Sequence, residues 1–86
     1  NIHKYGNNFN SCLNKAEEFC DKTNKTFIHP YDDLDVIEGQ GKILDEIYEK
    51  INSDIIMSCI GGGGLASGLI LNSLKNNRNN LIEGVE

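Results

Sequence analysis

The sequence predicts an α/β fold: a parallel βαβ unit carrying a glycine-rich loop, with two further helices. Three observations predict it. Ile55, Ile56, Met57, Ser58, Cys59 and Ile60 form a mostly apolar run of strand length that ends directly in Gly61, Gly62, Gly63 and Gly64. A second apolar stretch, Leu65 to Leu74, is followed by Leu81, Ile82, Glu83, Gly84 and Val85. Strand, helix and strand within about thirty residues read as a right-handed βαβ unit with parallel strands. Upstream, two segments repeat apolar residues at helical spacing.

Taken in order, the first helix is expected from Ser11 to Thr23. Cys12, Ala16, Phe19 and Cys20 fall at i, i+4, i+7 and i+8, with Asn10 or Ser11 available as N-cap. Thr26, Phe27, Ile28 and His29 read as a short strand stopped by Pro30, and Tyr31, Asp32 and Asp33 as a polar turn. A second helix is expected over roughly Gln40 to Asn52. There Leu44, Ile47, Tyr48 and Ile51 share one face, while Lys42, Asp45, Glu46, Glu49 and Lys50 occupy the others. The helix after the glycines carries Leu65, Ala66, Leu69, Ile70, Leu71 and Leu74, apolar over most of its circumference and so expected to be substantially buried. A parallel sheet should be covered on both faces, and one βαβ unit with two loose helices cannot cover it.

Composition narrows the function. Eighty-six residues amount to about one small domain, which buries only about 60% of the surface exposed when unfolded, so a complete large enzyme is excluded. The formal charge is -5 and the 8 basic side chains are scattered, leaving no footprint for nucleic acid. Hydrophobic residues make up 38% of the chain, too many for a disordered tail. The twelve asparagines, including Asn76, Asn77, Asn79 and Asn80, read as a compositional bias of the source. The chain begins Asn1, Ile2, His3 without an initiator methionine or a leader, and is expected to be a cut piece. Three cysteines without paired spacing argue against a disulfide framework and fit a reducing compartment. Ile55 to Leu74 carries no formal charge over twenty residues, and Gly64 to Gly68 spells GxxxG. A membrane span is nevertheless not expected, because glycine costs about 1 kcal/mol relative to alanine in a helix interior and four of them stand in a row.

The glycine loop is the chemical signal. A tetraglycine can serve as a flexible linker, but here it joins the end of a parallel strand to the first turn of a helix. Backbone N–H groups free of side chains then converge on one point, where the helix terminus adds about half an elementary charge. That is an anion cradle. Gly61, Gly63 and Ala66 also match the dinucleotide fingerprint GxGxxA, with Glu83 or Glu86 about twenty residues on as a ribose-binding acid. A tetraglycine satisfies GxG by redundancy, however, and no Gly-Lys-Ser/Thr follows for a Walker-type site. A non-catalytic interaction module is the remaining alternative.

Val36, Ile37, Glu38, Gly39, Gln40, Gly41, then a helix, an apolar strand, GGGGL, a second helix and a strand ending in Glu resemble the pyridoxal-phosphate enzymes of the threonine/serine dehydratase and serine racemase family, of fold type II. Tyr5, Gly6, Asn7, the helix with Lys15, Ala16 and Glu17, and Ile28, His29, Pro30, Tyr31, Asp32 extend the likeness over nearly the whole chain. The resemblance implies an internal fragment of such an enzyme, with residues 1–33 ending the small domain as helix and strand and residues 34–86 belonging to the large, phosphate-binding domain. It implies that the amides of Gly61, Gly62, Gly63, Gly64 and Leu65 hold the phosphate of pyridoxal 5'-phosphate, and that Glu86 matches a divalent-cation position. A threonine or serine substrate, a homo-oligomeric parent, a cytoplasmic or organellar setting and amino-acid metabolism, isoleucine biosynthesis included, are implied too. The chain departs from the family at Lys42, where threonine usually follows GQG. The family's cofactor-holding lysine in Ser-x-Lys-x-Arg-Gly, its Ser-x-Gly-Asn loop and its residue facing the pyridine nitrogen have no counterpart here. The seven lysines are expected on surface faces or loops, so no catalytic residue is assigned and the isolated chain should be inactive.

Overall fold

Residues 1–86 are described by a computed structural model. The chain runs α1 (Phe9–Thr23), α2 (Leu34–Tyr48), β1 (Ile55–Cys59), α3 (Gly64–Lys75) and β2 (Leu81–Val85). β1 and β2 pair in parallel, with Ile55 opposite Leu81 and Cys59 opposite Val85. The ladder is prolonged at both ends, where the Leu81 N–H donates to the Asp54 carbonyl at 2.7 Å and the Ile60 N–H to the Val85 carbonyl at 2.9 Å. The expected βαβ unit and two further helices are therefore present.

α3 lies on one face of this sheet and against α2, and the small core sits there. Leu44 of α2 is fully buried and Leu69 of α3 is 3% exposed. Strand alternation explains the division of the sheet: Ser58 is buried and Ile56 and Ile82 are half-buried, while Ile55, Met57 and Leu81 are exposed. The second sheet face is thus open, where a parallel sheet is ordinarily covered.

α3 is less enclosed than its composition predicts. Its buried positions are Gly64, Gly68, Leu69 and Ser73, whereas Ile70 and Leu74 are exposed. One apolar side of α3 faces solvent because α2 and the sheet together cover only the other.

α1 packs against no other element and buries no residue, so the chain is drawn out to 46 × 26 × 20 Å. Its cap is Asn8, whose side chain accepts the Ser11 N–H at 2.9 Å, two to three residues before the expected cap at Asn10 or Ser11. At its other end Asn24 takes the left-handed conformation at φ 57°.

Two expectations need correction. No strand forms at Thr26–His29: the segment has no ladder partner, and β-propensity without a partner makes no strand. α2 begins at Leu34, not Gln40, because the Asp33 carboxylate accepts the Asp35 and Val36 amides at 2.9 and 3.1 Å. The Gly39-Gln40-Gly41 segment is consequently helical, and the helix ends at Tyr48 rather than Asn52.

Candidate functional site

The glycine loop leaves the C-terminal end of β1 and enters α3 with Gly63 as N-cap, at φ 95°. That left-handed conformation favours glycine, and no side chain caps the helix. The first closing bond of α3 runs from the Ser67 N–H to the Gly63 carbonyl at 2.9 Å. Between Ile60, whose amide is spent on the sheet, and Ser67, the amides of residues 61 to 66 have no acceptor within the chain. Free helix-terminal donors and the positive end of the α3 dipole are what an anion needs.

These amides border a cavity of about 310 Å3. Its lining is Gly61, Gly62, Gly63, Gly64 and Leu65 from the loop, Cys59 from β1, Gln40 from α2, and Pro30 with Tyr31. The volume lies at the small end of the ligand-site range. Glycine is required at several points for different reasons. A Cβ on Gly64 would stand 3.0 Å from the Tyr31 Cβ, and one on Gly62 would enter the Tyr31 ring. A Cβ on Gly61 or Gly63 would meet nothing within 4 Å. The loop is thus packed against Tyr31 on one side and open at Gly61 and Gly63, a cradle that a small anionic group fits.

Tyr31, Pro30, Gln40 and Cys59 are site residues that residue-by-residue reading does not assign. Pro30, Tyr31 and Gln40 stand in the motif segments that carry the family resemblance, and that was the available signal. Cys59 adjoins the loop in the chain, whereas Gln40 is brought to it by the α2–α3 crossing, a contact between positions remote in sequence.

A second polar cluster lies at the other end of α3. The Asp45 Oδ1 accepts from Asn72 Nδ2 at 3.0 Å and from an Arg78 guanidinium N–H at 2.9 Å. The guanidinium carbon stands 4.2 Å from the centre of the Tyr48 ring, and the Tyr48 hydroxyl donates to the Ser53 carbonyl at 2.9 Å. Asn72 first, and then Arg78, hold the Asp45 carboxyl below its ordinary value against the opposing effect of desolvation. These contacts tie the end of α2 to the α3–β2 connection, away from the glycine loop, and so anchor the unit. On α1, Glu18 is lowered and Lys22 raised by their mutual hydrogen bond at 2.6 Å, both in solvent.

All seven lysines are exposed. Lys22, the one with a displaced pKa, is displaced upward, opposite to the need of a nucleophilic amine. Glu86 is exposed after β2, and the structure gathers no group of three or more His, Cys, Asp or Glu able to hold a metal ion. Cys12, Cys20 and Cys59 are free thiols. No helix is long and apolar enough to cross a membrane.

Comparison with known proteins decides between the readings of the loop's family. The whole chain, residues 1–86, matches the profile of the family described as pyridoxal-phosphate dependent enzyme. It is 41% identical over 66 residues to the biosynthetic L-threonine dehydratase of Bacillus subtilis, covering 74% of this chain and 16% of that protein. It is 44% identical over 66 residues to the catabolic L-threonine dehydratase of Escherichia coli K12, covering 76% and 20%. A biosynthetic L-threonine dehydratase of Staphylococcus aureus matches at 34% identity over 86 aligned residues, 94% of this chain and 20% of that protein. The chain spans about a fifth or less of the length of these relatives. A match of this extent sets aside the dinucleotide-binding alternative, and the chain belongs to the pyridoxal-phosphate dependent enzyme family.

Proposed function

We propose that this chain is the cofactor-phosphate-holding segment of a pyridoxal-phosphate dependent threonine/serine ammonia-lyase. The observation that carries the reading is the run of unpaired amides from residue 61 to residue 66, at the positive end of α3 and on the wall of a cavity. In this reading the N–H groups of Gly61, Gly62, Gly63, Gly64 and Leu65 donate to the phosphate. The cofactor supplies, when bound, the electron sink for the substrate α-carbon. This chain's own part is to bind and orient: the amides fix the anionic end, and Tyr31, its ring on Gly62 and its Cβ and backbone on Gly64, closes one side of the cradle.

The substrate class is a β-hydroxy-α-amino acid, threonine or serine, which loses water and then ammonia. The support is the activity named for the relatives, among which both biosynthetic and catabolic threonine dehydratases occur at similar identity. Isoleucine biosynthesis is the setting the former would give. The same reading assigns residues 1–33 to the end of a small domain and 34–86 to the phosphate-binding one, which agrees with α1 packing on none of the other elements. Three free cysteines support a reducing, cytoplasmic setting, and the open apolar sheet face supports burial against further chain in a homo-oligomer. Glu86 belongs to the reading as one oxygen ligand of a divalent cation, a site that needs several more.

The test is ammonia release from threonine and from serine by the complete protein supplied with pyridoxal phosphate. Turnover of either supports the reading. Racemisation of serine without ammonia release would replace it with a racemase of the same family.

A further inference from the structure

Pro30 has no N–H, and the residues that follow it lie outside any helix or ladder. The amides of Tyr31 and Asp32 nevertheless have an acceptor, because both donate to the imidazole Nδ1 of His29, at 3.2 and 2.9 Å. One ring nitrogen thus closes the turn twice, in the manner of an Asx side chain accepting from the amides two and three residues on. Accepting through Nδ1 places the imidazole proton on Nε2, a tautomer inferred from the hydrogen bonding.

The ring also acts as a wall. The His29 and Tyr31 rings meet edge to face, with centroids 4.6 Å apart and planes at 90°, and Phe27 meets the His29 ring at 6.1 Å. Phe9 stacks on Tyr31 at 6.0 Å. Tyr31 in turn bears on the loop, its Cβ 3.0 Å from where a Gly64 Cβ would stand. A continuous path of contacts therefore joins the His29 imidazole to Gly62 and Gly64.

We infer that His29 is a positioning residue for the cofactor phosphate: by accepting the Tyr31 and Asp32 amides at Nδ1 it holds the Tyr31 ring against Gly62 and the Tyr31 backbone and Cβ against Gly64, and so sets the aim of the amide cradle. The inference rests on the reading that the amides of Gly61 to Leu65 hold that phosphate. It gives the histidine a task without contact with the reacting atoms.

The experiment compares the complete apoprotein with its H29N, H29F and H29A variants, reading the affinity for pyridoxal 5'-phosphate and for pyridoxal by fluorescence titration. Asparagine restores an acceptor for the turn and phenylalanine restores only the ring. The expected result is that H29F and H29A bind pyridoxal phosphate about tenfold more weakly while H29N stays within about threefold of wild type. Pyridoxal, lacking the phosphate, should bind all four alike. Equal losses in H29N and H29F, or an equal loss for pyridoxal, would overturn the inference. A wild-type protein that binds the two probes equally well would instead sink the phosphate reading itself. Should H29F and H29A fail to fold, Y31L and Y31F carry the same prediction, with loss of phosphate-dependent affinity in the leucine variant and none in the phenylalanine variant. Unchanged affinity in Y31L would overturn the inference by that route.

Discussion

Gly41 of α2 and Gly68 of α3 meet backbone to backbone. A Cβ on Gly41 would stand 3.0 Å from the Gly68 carbonyl carbon, and one on Gly68 would stand 2.7 Å from the Gly41 amide nitrogen. Neither neighbour can give way without moving a helix. The close approach brings Gln40 to the glycine loop and sets the α2–α3 packing that buries Leu44 and Leu69.

Alanine at either position should therefore destabilise the protein despite its better helix propensity. Overpacking costs about 1–3 kcal/mol, against a gain of about 1 kcal/mol for Gly to Ala in a helix. Gly39 is the internal control, since nothing lies within 4 Å of its Cβ position. G39A should gain about 0.5–1 kcal/mol and G41A and G68A should lose, as read from urea unfolding midpoints. A stabilised G68A would refute the close-contact account.

Within the loop, Gly61 and Gly63 separate space from conformation. Both have room for a methyl group, but only Gly63 has a positive φ. G61A should leave apoprotein stability within about 0.5 kcal/mol while weakening pyridoxal phosphate binding, because the added methyl occupies the cradle. G63A should lose about 1–2 kcal/mol of stability as well. Thermal unfolding with and without cofactor measures both effects.

Asp45 makes the anchoring cluster sensitive to acid. Its carboxyl lies below the ordinary aspartate range because Asn72 and then Arg78 donate to it. A lowered folded-state pKa means that the stabilisation is fully present above the unfolded value and disappears as pH falls through the folded one. D45N should therefore be less stable than wild type near pH 7, with the difference narrowing below about pH 4 and vanishing once the wild-type carboxyl is protonated. A difference constant from pH 7 to pH 2 would show that the charge plays no part.

The open sheet face predicts its own protection. Met57 is 68% exposed on β1, flanked on that face by Ile55 and Leu81. If the face is covered in the complete protein, peroxide should convert Met57 to its sulfoxide much more slowly there than in the isolated 86 residues. Equal rates would mean that the face is free in both.

Much of this was legible in the sequence where punctuation and periodicity agree. The apolar run into four glycines locates β1 and the start of α3 to within a residue, and Leu81–Val85 is β2 as read. The start of α2 was not legible by the same rule. Gly39 lowers the helix propensity just ahead of Gln40, and what makes Gly41 useful inside that helix is Gly68, twenty-seven positions away. Thr26–His29 has strand-forming residues but no ladder partner, and the His29 imidazole instead closes the turn that follows by accepting the Tyr31 and Asp32 amides. Nor is the asparagine excess idle. Asn8 caps α1, Asn24 and Asn77 take left-handed conformations, and Asn80 accepts from Ser73 at 3.0 Å.

For the cradle, the place of the glycines between the end of β1 and the first turn of α3 was legible from position alone. Its wall was not, because Tyr31 reaches Gly62 through tertiary packing that no local pattern encodes.

The most direct test of the central claim is a crystal structure of the complete protein with pyridoxal 5'-phosphate. Phosphate oxygens are expected within about 2.7–3.2 Å of several amide nitrogens between Gly61 and Leu65. A phosphate bound elsewhere, with those amides facing only solvent, would contradict it.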